Sequence, residues 1–313
     1  MKIRWIHFSL LVFIILSACA RFAKQIVTPT PLPISPSSTP VPPTPTPAFL
    51  TPLPEPRVVA WARSYFDVHY CTDGDLPLKL TIALPTHPLR EPTPLLIHAK
   101  LSSDLIRPLV ERGFAVASVD WREPPNDKLP VGIEEVKCAI RFLRASAAQF
   151  KIDSDHIGVF GCSRGAHMSA MIGVTDPSAD MEAEEFGFAE QSSRVQAVVM
   201  FDGIADFRTN YAEAPSELKE IHGITSLDDP MVARVSPITY ITKDDPPFLL
   251  IASKDPHWQN EAHMLADALT AQGVSATYLQ AEGANHCQYA PSGPHTLETM
   301  IKIIGDFFEE NLK

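Results

Sequence analysis

Residues 156–170 read HIGVFGCSRGAHMSA, and this stretch decides the fold. Its first part, His156–Phe160, is mostly apolar and predicts a buried strand, while Ala166–Gly173 predicts a short helix. Between them, residues 161–165 have the pattern G-x-S-x-G, in which a tight strand-to-helix turn exposes a serine hydroxyl. We therefore expect Ser163 to be a nucleophile at the carboxyl end of a strand. The alternative is a glycine-bounded turn whose serine has no catalytic role.

The segments on either side of this turn alternate short apolar runs with helical patterns. The order predicts an α/β fold: an eight-stranded, mostly parallel sheet that starts with antiparallel strands and carries helices on both faces. Residues 203–246 are expected to form a small cap of loops and short helices over the carboxyl ends of the strands, where ligands bind in such sheets. The predicted strands are Val58–Cys71, Leu76–Leu84, Pro94–Ala99, Ala115–Trp121, His156–Phe160, Val195–Phe201, Phe248–Ala252 and Ala276–Leu279.

A serine hydroxyl is a poor nucleophile unless a base takes its proton, and in this kind of fold an acid and then a histidine follow the serine. We expect His286 to be the base, because it lies in the loop between the last predicted strand and the C-terminal helix. The other candidates are His167, His257, His263 and His295.

Two aspartates are candidates for the acid that orients the base. Asp255 follows the strand Phe248–Ala252, one strand before the histidine loop, and is the preferred choice. Asp202 follows the strand Val195–Phe201 and is the alternative. The acid would hold the correct tautomer of His286 and stabilise its imidazolium form.

A run of segments in order along the domain carries a family pattern: residues 112–120, 133–143, 152–161, 193–199, 236–241 and 283–286. Through them, nearly the whole domain resembles the α/β-hydrolase esterases of the hormone-sensitive-lipase and BD-FAE (feruloyl-esterase-like) group. The resemblance implies an α/β-hydrolase fold and a serine carboxylesterase activity on small or polymer-borne esters. The resemblance also implies a catalytic triad of Ser163, Asp255 and His286. No cofactor is expected, and no Cys/His spacing in the sequence suggests a metal site.

The sequence departs from this group where an oxyanion hole is expected. Relatives carry His-Gly-Gly after the third strand, whereas this chain has His98-Ala99-Lys100. Backbone N–H groups of Ala99 or Lys100, together with that of Arg164, are the predicted donors. Glycine reaches unusual backbone angles more easily than other residues, so the substitution predicts a less well-organised loop. Losing one such donor typically lowers turnover by about 10²–10³-fold.

The N-terminus predicts an exported bacterial lipoprotein. Lys2 and Arg4 precede an apolar segment, and residues 16–19 read Leu-Ser-Ala-Cys, which resembles a lipobox with Cys19 as the lipidated residue. We expect residues 1–19 to be the signal peptide, residues 20–56 a linker rich in proline and threonine, and residues 57–313 the hydrolase domain, anchored to the membrane outside the cytoplasm. A plain transmembrane anchor is the alternative, but the apolar segment is shorter than the ~20 residues that a spanning helix needs.

The charge of the domain argues against nucleic-acid binding. The first 56 residues hold four basic residues and one acidic residue, so the domain holds 22 basic and 36 acidic residues, a net charge of −14. An acidic surface of this kind repels a phosphate backbone.

Besides Cys19, the chain contains Cys71, Cys138, Cys162 and Cys287. Outside the cytoplasm these cysteines can pair, and four of them allow three complete connectivities, among which the sequence does not choose.

Two other functions are also compatible with the sequence. One is a serine peptidase of the prolyl-oligopeptidase type. Such peptidases usually carry a propeller or an additional N-terminal domain, and the 257 residues after position 56 leave no room for one. The other is a binding protein without catalytic activity, suggested by the missing paired glycines.

Overall fold

A computed structural model describes residues 52–99, 103–122, 129–209 and 224–313. The predicted signal peptide with Cys19, most of the predicted linker and Lys100 lie outside the described residues.

The strands of the described residues form one nine-stranded sheet in the order β1-β2-β3-β5-β4-β6-β7-β8-β9. The pairs β1/β2, β2/β3 and β3/β5 are antiparallel, and all the later pairs are parallel. The prediction of a mostly parallel sheet with antiparallel strands first is confirmed. The strands are β1 (Arg57–Val58), β2 (Ala62–Asp73), β3 (Leu76–Pro85), β4 (Thr93–Ala99), β5 (Ala115–Val119), β6 (Ile152–Cys162), β7 (Ala197–Phe201), β8 (Phe248–Ala252) and β9 (Ala276–Gln280).

The number of strands predicted from sequence was one too low. The first predicted strand, Val58–Cys71, is divided between β1 and β2, and β1 is only two residues long. A pair of residues is too short to show the alternation of apolar and polar side chains by which a strand is recognised.

The α-helices of the described residues pack on both faces of the sheet. Helices α1 and α7 contribute to one hydrophobic cluster, and α2, α4 and α6 contribute to the other. Within the described ranges, no helix is both long and apolar enough to cross a membrane. The helices are α1 (Ile106–Glu111), α2 (Val131–Ala145), α3 (Ala147–Phe150), α4 (Arg164–Val174), α5 (Pro230–Arg234), α6 (Pro256–Ala271) and α7 (Leu297–Leu312).

The strand order sets where a ligand can bind. The chain passes from β4 to β5 on one side of β4 and then to β6 on its other side. A crevice forms at such a change of direction, outside the carboxyl ends of parallel strands. The residues that follow β4, β6, β7, β8 and β9 therefore share one edge of the sheet.

Part of the predicted cap is present between β7 and β8. Its described portion contains α5 and a 3-10 turn at Pro237–Thr239. A small hydrophobic cluster, separate from the two main ones, holds it together through Phe207, Ile224, Val232 and Val235.

His167 connects this cap to α4. Its imidazole Nε2 lies 2.7 Å from the carbonyl oxygen of Val235, and its ring contacts Phe207 edge to face. Burial disfavours the charged imidazolium and lowers the pKa of His167 from 6.5 to about 4.

This burial makes the stability of the protein depend on pH. Below pH 6.5 the unfolded chain binds a proton at His167, whereas the folded protein remains neutral there until about pH 4. The free energy of unfolding should therefore fall by about 3 kcal/mol between these pH values because of His167, since one pKa unit corresponds to about 1.4 kcal/mol.

The matched variant is His167→Gln, whose amide N–H can still donate to the Val235 carbonyl but does not titrate. Denaturant unfolding at several pH values should give a shallower pH dependence for this variant than for the wild type between pH 6.5 and 4. Parallel curves for the two proteins would show that His167 is not the group responsible.

Candidate active site

The predicted turn between a strand and a helix is present around Ser163. Strand β6 ends at Cys162 and α4 begins at Arg164, so Ser163 is the single residue between them. Its backbone has φ 55° and ψ −119°, a strained conformation for a residue other than glycine. The Ser163 N–H donates to the Phe201 carbonyl at 3.0 Å, and the Ser163 carbonyl accepts from the His167 N–H at 3.0 Å. The backbone of Ser163 is therefore held on both sides.

Gly161 is required by the tight packing at this turn. A Cβ atom at this position would lie 2.3 Å from the carbonyl oxygen of Gly165 and 2.4 Å from that of Ala99. Both are backbone atoms and cannot rotate away. The first glycine of the G-x-S-x-G pattern thus allows β6, β4 and α4 to approach one another closely.

Asp202 is the aspartate that lies beside His286. It follows β7 with φ 52°, and its side chain is completely buried. Its Oδ2 atom is 3.4 Å from Nδ1 of His286 and accepts a hydrogen bond from the Cys287 N–H at 3.0 Å. Its Oδ1 atom accepts from the Ser253 N–H at 2.7 Å. Two backbone donors therefore fix the carboxylate in position to orient the imidazole.

His286 lies in the irregular segment between β9 and α7, as predicted. Its side chain is 42% exposed, so part of the imidazole is open to solvent. The indole of Trp258 stacks on it, with ring centroids 4.6 Å apart and an angle of 20° between the planes. The imidazole is thus restrained by Asp202 at one edge and by Trp258 on one face.

Asp255, the preferred acid in the sequence analysis, is placed elsewhere. It is the N-cap of α6, and its Oδ1 atom accepts a hydrogen bond from the His257 N–H at 3.0 Å. Aspartate is among the best N-cap residues, and proline is favoured at the next position, here Pro256. The sequence Asp-Pro at residues 255–256 was therefore the signal of a helix start. The geometry favours the alternative, Asp202, over Asp255 as the partner of His286.

The four cysteines of the domain form two disulfides. Cys71 pairs with Cys138, and Cys162 pairs with Cys287 with their Cα atoms 5.8 Å apart. The second bond joins the residue before Ser163 to the residue after His286. It therefore brings the turn at Ser163 and the loop at His286 together, across 125 residues of sequence.

The other candidate histidines have different environments. His167 is buried under the cap, and His263 stacks on Tyr278. The Nδ1 atom of His295 accepts a hydrogen bond from the Glu282 N–H at 2.9 Å, and the ring of His257 contacts Trp258. His286, by contrast, is paired with a buried aspartate at the strand ends.

The residues predicted to form the oxyanion hole are described in part. Ala99 ends β4 and is buried, and its neighbour His98 lies 3.0 Å from the Ser118 hydroxyl through Nδ1. Arg164 opens α4, where backbone N–H groups have no acceptor within the helix. Lys100 is outside the described residues, so its predicted role stays a prediction.

Glu261 is a supporting residue that the sequence analysis missed. It lies on α6, is completely buried, and accepts hydrogen bonds from the N–H groups of Ala205 and Asp206 and from the Thr209 hydroxyl. Burial raises the pKa of its carboxyl group, although the three donors oppose the shift. Glu261 thus holds the loop that follows Asp202. A glutamate on a helix shows no sequence pattern that would have revealed this role.

The described residues contain no group of three or more histidine, cysteine, aspartate or glutamate side chains that could hold a metal ion.

Comparison with known proteins gives the family. The BD-FAE family model matches residues 97–267, more than half of the 313 residues. The chain belongs to the BD-FAE family. The match runs from β4 into α6 and includes Ser163 and Asp202, while His286 lies beyond it. The resemblance inferred from the sequence is confirmed.

Two curated relatives of this BD-FAE protein come from Mycobacterium tuberculosis. Esterase LipC is 33% identical over 57% of this chain and 46% of its own length. The probable carboxylic ester hydrolase LipM is 30% identical over 48% of this chain and 36% of its own length. The chain thus spans less than half the length of these relatives.

Solved structures share the fold. A bifunctional GH43-CE protein of Bacteroides eggerthii superposes with a TM-score of 0.68 at 29% identity, over 80% of this chain and 38% of that one. A truncated carbohydrate esterase from gut microbiota gives 0.65 at 26% identity, over 82% of this chain and 99% of that one. The Thermogutta terrifontis esterase Est2 gives 0.59 at 22% identity, over 77% and 92% of the two chains. The α/β-hydrolase fold predicted from sequence is confirmed.

Proposed function

We propose that this BD-FAE protein is a carboxylic-ester hydrolase in which Ser163 is the nucleophile, His286 the general base and Asp202 the acid that orients the base. The observation that carries this proposal is the contact between His286 and the buried carboxylate of Asp202, on a loop joined by a disulfide to the residue before Ser163. Homology to proteins named as esterases supports the same reaction class.

The reaction proceeds through an acyl-enzyme. His286 takes the proton of the Ser163 hydroxyl as its oxygen attacks the ester carbonyl, and the resulting imidazolium gives that proton to the departing alcohol. A water molecule, activated by the same imidazole, then attacks the acyl-serine and releases the carboxylic acid. Asp202 does not accept the proton; it orients the imidazole and stabilises its positive charge.

The negative charge on the substrate oxygen needs backbone donors. The N–H of Arg164 is the proposed donor from the start of α4, and the loop that begins at Ala99 supplies the second. Such donors typically contribute about 3–4 kcal/mol each to transition-state stabilisation. The replacement of paired glycines by Ala99 and Lys100 is the observation that favours a binding protein without activity. Assays of ester hydrolysis distinguish the two functions.

We further propose that the ester is carried by a carbohydrate. The support is the likeness to the gut-microbiota carbohydrate esterase, which extends over 99% of that chain.

The purified full chain should hydrolyse p-nitrophenyl acetate and should release acetate from acetylated oligosaccharides faster than butyrate from tributyrin, while Ser163→Ala should do neither. Hydrolysis of p-nitrophenyl acetate without release from oligosaccharides would reject only the carbohydrate assignment. No hydrolysis of any ester would favour the binding protein.

We also propose that the protein is an exported lipoprotein with the domain outside the cytoplasm. The support is the Leu-Ser-Ala-Cys sequence at residues 16–19 and the presence of two disulfides, which persist in oxidising compartments. Two or more acyl chains at Cys19 would anchor the protein stably, whereas one would bind only marginally.

Cys19→Ala should remove the lipid. In a bacterial host fed radioactive palmitate, the wild type should incorporate the label and partition into detergent, and the variant should do neither. The matched control is Ser17→Ala, which keeps a small residue in the lipobox and should still be labelled. Labelled Cys19→Ala protein would contradict the proposal.

A further inference from the structure

We propose that the Cys162–Cys287 disulfide is a positioning element for the catalytic triad, so that ester hydrolysis depends on this bond being oxidised. The inference rests on the proposed function, because it assigns the bond a role in that reaction. Cys162 directly precedes Ser163, and Cys287 directly follows His286. The bond therefore links the neighbours of Ser163 and His286, the two residues between which a proton must pass.

Cys287 is connected to all three members of the triad. Its peptide bond joins it to His286, and its N–H donates to Oδ2 of Asp202 at 3.0 Å. Its sulfur is bonded to Cys162, the residue directly before Ser163. Its φ of 56° is a left-handed conformation, uncommon for a residue with a side chain. The same backbone segment thus sets the place of the base relative to both the acid and the nucleophile.

The two ends of the bond lie on different kinds of structure, a strand and an irregular segment. Cys162 ends β6, is 4% exposed, and belongs to a main hydrophobic cluster. His286 and Cys287 lie between the end of β9 at Gln280 and the start of α7 at Leu297, in a segment without helix or strand. Backbone hydrogen bonds near them include local turns, such as Gln288 N–H to Asn285 carbonyl, and one from the segment after β8, Lys254 N–H to Ala284 carbonyl. The disulfide attaches this irregular segment to the core of the sheet.

The position of a catalytic base must be accurate, since a displacement of about 1 Å can reduce the rate by about 10²-fold. Sites on loops hold such geometry less well than sites on strands and helices. A covalent bond one residue away from both reacting groups limits how far His286 can move from Ser163. We therefore expect the bond to affect kcat strongly and KM weakly.

The bond has one partly exposed end, at which a reductant can approach. Cys287 is half-buried, whereas Cys71, Cys138 and Cys162 are all buried. In thiol–disulfide exchange a dithiol such as dithiothreitol supplies two electrons and two protons, giving two cysteine thiols and one cyclic disulfide. Oxidation by a disulfide-containing compound reverses the reaction and restores the bond.

The second disulfide provides a matched control. Cys71–Cys138 joins β2 to α2 in the hydrophobic cluster on the other side of the sheet. Its sequence separation is 67, against 125 for Cys162–Cys287. Chain entropy depends on the logarithm of loop length, so the two bonds are expected to stabilise the fold by similar amounts. A difference in activity between the two cannot then be ascribed to stability.

The test compares Cys162→Ala/Cys287→Ala with Cys71→Ala/Cys138→Ala in the purified full chain. With p-nitrophenyl acetate, the first variant should lose about 10²-fold in kcat with little change in KM, and the second should keep the wild-type kcat. Both should show a similar decrease in Tm. Wild-type kcat in a folded Cys162→Ala/Cys287→Ala protein would overturn the proposal.

Reduction provides a second measurement if Cys162→Ala/Cys287→Ala does not fold. Dithiothreitol is added to folded Cys71→Ala/Cys138→Ala, and free thiols are counted while kcat is followed. Activity should fall as two thiols appear and should return on reoxidation with oxidised glutathione. Unchanged kcat with two free thiols would overturn the proposal.

Failure of the proposed function is distinguished by hydrogen exchange. If the wild type hydrolyses no ester, that function fails, but the Cys287 amide still reports on the loop. Its hydrogen bond to Asp202 should protect this amide in the wild type and in Cys71→Ala/Cys138→Ala. In Cys162→Ala/Cys287→Ala, which lacks the Cys162–Cys287 disulfide, the amide at position 287 should exchange faster. Equal protection in all three proteins would show that the bond does not position the loop.

Discussion

Asp202→Asn is expected to lower kcat for ester hydrolysis by about 10⁴-fold, as removal of the charge of a triad acid does in serine hydrolases. The Asp202 carboxylate faces three donors: the Ser253 N–H, the Cys287 N–H and Nδ1 of His286. Asparagine has a single acceptor oxygen, so its NH₂ group must face at least one of them. If it faces His286, it favours the wrong tautomer of the imidazole, and the negative charge that stabilises the imidazolium is absent.

Asp255→Asn is the matched control for this experiment. Asparagine caps helices about as well as aspartate, so the start of α6 should be preserved. Its kcat should therefore equal that of the wild type. The reverse ranking of the two variants would show that Asp255 acts as the acid, despite its place at the helix cap.

Ser163→Ala and His286→Ala are expected to lower kcat by about 10⁶-fold each, because a nucleophile without its base, or a base without its nucleophile, retains almost none of the acceleration. Alanine at either position removes side-chain atoms without adding any, and His286 is 42% exposed, so the fold should be retained. Circular dichroism and Tm provide the check on folding.

The double variant Ser163→Ala/His286→Ala should be no slower than either single variant. Residues that act in one proton transfer lose their joint contribution at the first removal, so the second removal has nothing further to abolish. Initial rates on p-nitrophenyl acetate at high enzyme concentration measure all three. Losses that multiply in the double variant would mean that the two side chains act independently and would refute their assignment to one triad.

The positions of Ser163 and His286 could be predicted from sequence because their signals are local. The apolar run before Gly161, the G-x-S-x-G pattern and the helix after it are contiguous, and each predicts its neighbour. His286 follows the last strand, and that position alone places it at the carboxyl edge of the sheet. Both residues lie at that edge in the structure, on either side of the Cys162–Cys287 bond.

The aspartate that lies beside His286 could not be identified from strand order alone. Asp202 and Asp255 follow adjacent parallel strands, β7 and β8, so both reach the same edge. What separates them is side-chain direction, which depends on local hydrogen bonds: Asp255 turns back to cap α6, and Asp202 turns toward Ser253 and Cys287. The helix-start signal of Asp255-Pro256 was present in the sequence and would have favoured Asp202.

The disulfides and the supporting network depend on contacts between distant segments. Cys162 and Cys287 meet only because β6 and the loop after β9 share an edge, and the sequence allowed three pairings. Glu261 holds the loop after Asp202 from a helix more than 50 residues away. Contacts of this kind follow from the packed fold and leave no periodic pattern in the sequence.

The activation of Ser163 by His286 and Asp202 is tested most directly by a fluorophosphonate probe, whose phosphorus bonds to an activated serine oxygen as fluoride leaves. The full chain is treated with the probe, digested and analysed by mass spectrometry. We expect the label on the peptide containing Ser163 in the wild type and in Asp255→Asn, and greatly slowed labelling in His286→Ala and Asp202→Asn. An unlabelled Ser163 in folded wild-type protein, or labelling that proceeds equally fast without His286, would contradict the catalytic triad.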